Sequence, residues 1–133
     1  MMSNIKIVVA DDSITARMVT KQCLGVAGFS EATFLDAADG AIALQLVKEH
    51  HPDLLVTDLV MPNLDGTDLL KAVKADPSIS ETRVIVITSA GNAAKDDELL
   101  NEGAEAIIAK PVSPAKLVAA LADEDEDDQG GGW

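Results

Sequence analysis

The feature that most constrains this chain is a series of short, nearly continuous apolar runs set between amphipathic segments. IKIVVA, DLLVT and RVIVIT are apolar at almost every position, the signature of strands buried on both faces. Further runs begin near Ala32 and Ala106. The intervening segments carry helical spacing and helix punctuation. Ser13 is placed to cap a helix over 13–27, with Ala16, Val19, Cys23 and Val26 or Ala27 as its inward stripe and Gly28 as its stop. A second helix spans Gly40 to His50 and ends at His51-Pro52. A third runs from Gly66 to Ala75, with Leu69, Leu70 and Val73 inward and Asp76-Pro77 closing it. The fourth, Ala93 to Glu102, has little apolar content beyond Leu99 and Leu100, and Gly103 ends it. Ser113-Pro114 opens a fifth that runs to about Ala122.

Strand and helix therefore alternate five times with short connections, which implies a parallel sheet with helices on both faces. Right-handed crossovers make such a sheet doubly wound, and its ligands bind outside the carboxyl ends of the strands. A chain of 133 residues is the size of one domain, and 47% hydrophobic content is that of a globular one. Aromatics are only Phe29, Phe34 and Trp133, so the core is aliphatic. The apolar runs are too short to span a membrane, and the start MMSNIKIVVADD lacks the form of a signal peptide. A single cysteine, Cys23, excludes an internal disulfide and fits a reducing, cytoplasmic setting. The net charge is −13, and Asp123 to Asp128 form an unbroken acidic run, yet the rest of the chain is still negative. Such a body repels nucleic acid and anionic membranes. The expected division is a folded unit over 1–122 and a solvated acidic tail over 123–133, serving solubility or partner choice.

Four of the apolar runs end in polar residues: Asp11 and Asp12, Asp58, Thr88, and Lys110. Each alone has an ordinary explanation. The two acids could favour a helix N-terminus, Asp58 could begin a turn, Thr88 could cap the fourth helix, and Lys110 could be a surface lysine before Pro111. As ends of parallel strands, however, all five share one edge of the sheet. Three carboxylates brought together require a compensating positive charge. Oxygen ligands suit Mg²⁺, which binds through a few carboxylates together with phosphate oxygens. No cysteine or histidine joins the set, which argues against zinc; His50 and His51 read as exposed residues at a helix end.

The motifs VVADDS, TDLVMPNLDG, VITSAG and AKP resemble the receiver domain of two-component response regulators, in the stand-alone CheY-like form. The resemblance covers Ile5 to Ala122. It implies a flavodoxin-like (βα)5 fold with strand order 2-1-3-4-5. It implies that Asp58 accepts a phosphoryl group from a histidine kinase, a phosphotransfer protein or a small donor such as acetyl phosphate. By the same match Asp12 and Asp58 ligate Mg²⁺ (Mn²⁺ could substitute), Asp11 acts partly through water, and the backbone carbonyl of Val60 completes the protein ligands. Thr88 would bond a phosphoryl oxygen, and Lys110 would pair first with Asp58 and then with the phosphate. A cis peptide before Pro111 is implied as well. The protein would be a monomer whose phosphorylation changes its binding to an output protein, in chemotaxis-like signalling or as a phosphorelay intermediate.

The chain departs from the family pattern at three positions. Where the family usually has an aromatic switch residue three positions before the lysine, this chain has Ile107, so Thr88 and the segment Ser89 to Asn92 must carry the switch or the switch is weak. Val60 and Ala90 match the two variable positions beside the phosphoryl group, and both are apolar. Neither can orient an attacking water, which predicts slow self-dephosphorylation. Other readings fit less well. A haloacid-dehalogenase-like phosphatase needs an acid two residues after the nucleophile, where Val60 stands. A flavin-binding protein needs a hydroxyl- and glycine-rich loop where ADDSITA stands. A receiver-like adaptor that is never phosphorylated would have lost an acid or the lysine.

Overall fold

The computed structural model describes residues 5–89 and 92–121. The acidic tail, Trp133, Ala122 and the residues Ala90 and Gly91 lie outside the described residues. Five parallel strands form one sheet: β1 (Lys6–Ala10), β2 (Thr33–Ala37), β3 (Leu54–Asp58), β4 (Arg83–Thr88) and β5 (Ala106–Ala109). Their order is β2-β1-β3-β4-β5, as the resemblance implies. Five α-helices connect and follow them: α1 (Ile14–Leu24), α2 (Gly40–His50), α3 (Gly66–Ala75), α4 (Ala93–Asn101) and α5 (Pro114–Leu121).

Successive strand residues point to opposite faces, and each face has its own aliphatic core. Ile7, Val9, Leu54, Val56, Ile85, Ile87 and Ile108 pack with Leu24 of α1 and Leu117 of α5. Val8, Ala10, Leu55, Val84 and Val86 pack on the other side with Val47 of α2, Leu69, Leu70 and Val73 of α3, and Leu99 of α4. All five residues of β3, the central strand, are buried. Burying one such aliphatic side chain stabilises the fold by about 1.5–3 kcal/mol.

The helix starts follow local chemistry. Ser13 accepts from the Ala16 amide, Asp39 from Ile42, Asp65 from Asp68 and Asn92 from Lys95, each satisfying an amide that the helix leaves unpaired. The fourth helix is thus capped by Asn92; Thr88 is the last residue of β4.

Helix α1 departs from expectation in two ways. Its inward residues are Thr20 and Leu24, whereas Val19 and Val26 are 41% and 75% exposed. Cys23 and Ala27 of the expected stripe do pack against the core, so the error is local: Thr20, not Val19, faces the sheet, because a threonine can fill a buried position that hydrophobicity assigns to a valine. The chain also passes from α1 into a π-helical turn over Gly25–Phe29 and leaves helical geometry only at Gly28, whose φ of 120° suits glycine.

Candidate functional site

The strand order places the carboxyl ends of β1, β3, β4 and β5 side by side. Asp58 and Thr88 are the last residues of β3 and β4, while Asp11-Asp12 and Lys110 immediately follow β1 and β5. Carboxylate oxygens of Asp11, Asp12 and Asp58 come within 4.8 Å of one another, close enough to share one cation. Asp11 and Asp58 are buried, and Asp12 is exposed. Lys110 Nζ lies 3.5 Å from Asp58 Oδ2, while Asp58 Oδ1 accepts the Leu59 amide at 2.8 Å. Thr88 is buried beside them, and its carbonyl accepts the Lys110 amide at 2.8 Å, tying the two strand ends together.

The electrostatics of the acids favour a bound positive charge. Burial, with Asp58 and Asp12 adding to it, pushes the Asp11 carboxyl above its ordinary range, although the Ser13 amide and Lys110 act the other way. Lys110 pairs with Asp58 and its charge also acts on Asp11. A hard divalent cation with oxygen preference suits this donor set, and the absence of sulfur and imidazole from it disfavours zinc.

Beside the acids a cleft of about 270 Å³ opens between the β3–α3 and β4–α4 connections. Asp58, Val60, Thr88, Ser89, Asn92 and Lys110 line it. Val60 is 73% exposed, an apolar side chain at the mouth.

The loop after Asp58 is held by contacts that periodicity does not reveal. Gly66 sits so close to the strand end that a Cβ there would lie 2.5 Å from the Asp58 carbonyl oxygen. A Cβ on Gly40 would come 1.8 Å from the Leu64 carbonyl, so α2 starts hard against the same loop. Asn63, at φ 69°, donates to Asp39 Oδ2 at 2.6 Å and joins the loop to the α2 cap. On the other side, Lys116 Nζ reaches the carbonyls of Ala109 and Pro111 at 2.9 and 2.8 Å, bracketing Lys110. The Lys110–Pro111 peptide is cis. Lys95 and Asp96 at the start of α4 also face the cleft, and no motif marked them. Ile107 is half-buried and packs against the α2–α3–α4 core.

A family model described as the response regulator receiver domain matches residues 7–122. The chain is 31% identical over 117 residues to a probable chemotaxis protein CheY of Rhizobium etli, covering 88% of this chain and 89% of that one. It is 35% identical over 118 residues to the chemotaxis protein CheY-3 of Vibrio cholerae, covering 89% of each. Among solved structures, the chemotaxis response regulator CheY4 of Vibrio cholerae superposes with a TM-score of 0.77 at 28% identity, over 90% of this chain and 97% of that one.

Proposed function

The chain belongs to the response regulator receiver domain family, and from that premise we propose that it is a phosphoacceptor in histidine–aspartate signalling, with Asp58 as the residue modified. The observation that carries this reading is the meeting of Asp11, Asp12 and Asp58 within 4.8 Å, with Lys110 Nζ 3.5 Å from Asp58 Oδ2. The receiver unit is residues 1–122, and the acidic segment 123–133 stands outside it as an extension.

Asp58 acts as nucleophile. A carboxylate oxygen attacks phosphorus as the bond to the donor's leaving group breaks, giving an acyl phosphate on Asp58. The donor is a histidine kinase, a phosphotransfer protein or acetyl phosphate. Asp11, Asp12, Asp58 and the Val60 carbonyl would hold Mg²⁺ or Mn²⁺, which would supply positive charge to offset the acids and the phosphoryl oxygens. Lys110 exchanges its contact with Asp58 for one with the phosphoryl group, and Thr88 bonds a further oxygen. The output is altered binding to a protein partner, in chemotaxis-like signalling or as a phosphorelay intermediate. The protein acts as a cytoplasmic monomer, touching neither nucleic acid nor membrane. With Ile107 in place of an aromatic, either Thr88 and the segment following it carry the switch or the switch is weak.

Incubation with acetyl phosphate tests the assignment. Labelling that requires Mg²⁺ and disappears in Asp58→Asn supports it; a folded wild-type protein that never labels favours a non-phosphorylated adaptor. The phospho-form should decay over minutes or longer, because neither Val60 nor Ala90 can position water. Decay within seconds contradicts that part of the reading.

A further inference from the structure

Arg17 is the fourth residue of α1, where a cation opposes the positive end of the helix dipole. Its side chain is nonetheless only 11% exposed. The guanidinium is held by two partners from different parts of the fold. Nε donates to Asp36 Oδ2 of β2 at 3.0 Å, and Nη1 donates to the main-chain carbonyl of Asp11 at 2.5 Å. Asp36 is also held by Lys21 Nζ at 2.8 Å, so one end of the bridge is anchored twice.

The Asp11 carbonyl belongs to the rigid peptide plane that joins Asp11 to Asp12. Fixing that oxygen fixes the direction in which the chain passes from one acid to the next. Asp11 is secured on two other sides, its amide by the Ala37 carbonyl at 3.0 Å and its Oδ1 by the Ser13 amide at 2.9 Å. The Arg17 contact is the one that governs the Asp11–Asp12 peptide itself.

We infer that Arg17 is a positioning residue for cation binding: it orients the Asp11–Asp12 peptide so that both acids converge with Asp58. This rests on the reading of those acids as Mg²⁺ ligands. Charge alone predicts the opposite effect, which makes the inference easy to break. Removing a cation beside an acidic cluster relieves repulsion and strengthens binding of a dication. Loss of a positioning contact weakens it, typically tenfold or more for partners that orient metal ligands.

Calorimetric titration of Mg²⁺ into the full chain, after removal of bound metal with a chelator, decides between the two. Arg17→Met should weaken the Mg²⁺ Kd about tenfold. Lys21→Met removes the same charge from the same Asp36 but touches no part of the β1–α1 connection, and should leave Kd unchanged or slightly tighter. Acetyl phosphate labelling of Arg17→Met should recover toward the wild-type rate as Mg²⁺ approaches saturation. An unchanged or tighter Kd in Arg17→Met overturns the inference, as does equal weakening by Lys21→Met. Should Arg17→Met not fold, Asp36→Asn, which releases the anchored end of the bridge, is expected to weaken Kd several-fold, and an unchanged Kd there overturns the inference. Wild-type protein that binds no Mg²⁺ removes the phosphoacceptor reading itself, whereas wild-type binding with an unaffected Arg17→Met removes only the role of Arg17.

Discussion

The two edges of the sheet are built on opposite principles. At the amino edge, charged and polar groups are held by ion-pair or hydrogen-bond partners. Arg83 Nε donates to Glu105 Oε1 at 3.0 Å, and its Nη2 meets the other carboxylate oxygen. Lys74 Nζ donates to the carbonyls of Ser80 and Thr82 at 2.9 and 2.7 Å. Thr82 Oγ1 donates to the Pro52 carbonyl at 3.0 Å, and the Asp53 carboxylate accepts the Lys6 amide. At the carboxyl edge, three acids lie together and a lysine pairs with one of them, Asp58. Like charges held together in a partly buried place oppose folding unless a ligand offsets them. The same strands thus end in partnered polar groups at one edge and in a cluster of three acids at the other, the edge for which we propose cation and phosphoryl binding.

The largest expected effect lies at the carboxyl edge. Lys110→Ala should lower the rate of Mg²⁺-dependent labelling by about a hundredfold or more, the scale on which a positioned charge stabilises a transferring group. Chemical denaturation should show little change, because the lysine is 39% exposed along its side chain and pairs with one acid at 3.5 Å. A large loss of stability with normal labelling would reverse the contrast between the edges.

Lys74→Met should do the opposite. It leaves two carbonyls without their charged donor, at an expected loss of about 1.5–3 kcal/mol in unfolding free energy. Burial also holds the Lys74 ammonium below its usual pKa, so the folded protein already disfavours the charged form to a degree, and the lower half of the range is the better expectation. Labelling at saturating Mg²⁺ should be unaffected.

Asp11→Asn sharpens the comparison with a smaller effect of inverted sign. Without Mg²⁺ the variant should be more stable than wild type by about 0.5–1 kcal/mol, since one charge leaves a crowded cluster while Asn can still accept the Ser13 amide. Its Mg²⁺ affinity should fall. Lower stability in metal-free buffer would show that the acids do not strain the fold.

The smallest effect is in the pH profile. Hydrogen bonds from Arg83 hold Glu105 below its ordinary 4.5 despite partial burial. A depressed native pKa means that the unfolded chain binds the proton more readily. The stability from this pair is therefore fully present above about pH 4.5 and is lost as pH falls through the native value. Asp11 behaves inversely: its native pKa is raised above 3.8, so metal-free stability declines as pH rises through that raised value. Glu105→Gln should flatten the acid-side loss, and Asp11→Asn should flatten the opposing slope, in denaturation midpoints measured across acid pH without Mg²⁺.

Much of this architecture was legible in the sequence, because buried parallel strands and capped helices are written in local patterns. The five strands, the inward face of α3 at Leu69, Leu70 and Val73, and the cap at Ser13 all follow from runs, spacing and punctuation. So does the gathering of Asp11, Asp12, Asp58, Thr88 and Lys110 on one edge, once parallel order is granted. The face of α1 was legible only in part: Cys23 and Ala27 pack inward as read, but Thr20 takes the buried place expected of an aliphatic residue. Nor were the contacts that hold the site: Asn63 with Asp39, the Gly40 approach to Leu64, Arg17 on the Asp11 carbonyl and Lys116 astride Lys110. These are one or two hydrogen bonds or a close approach between residues far from regular spacing, which leave no trace in periodicity.

The proposed division of labour makes one acid, Asp58, the phosphoacceptor, while Asp11 and Asp12 serve only to hold the cation with it. Borohydride reduction of protein treated with acetyl phosphate and Mg²⁺ converts an acyl phosphate to an alcohol at the residue that carried it, and peptide mass spectrometry locates that residue. The account predicts homoserine at position 58 alone. Reduction at position 11 or 12, or none in protein shown to have bound Mg²⁺, would contradict it.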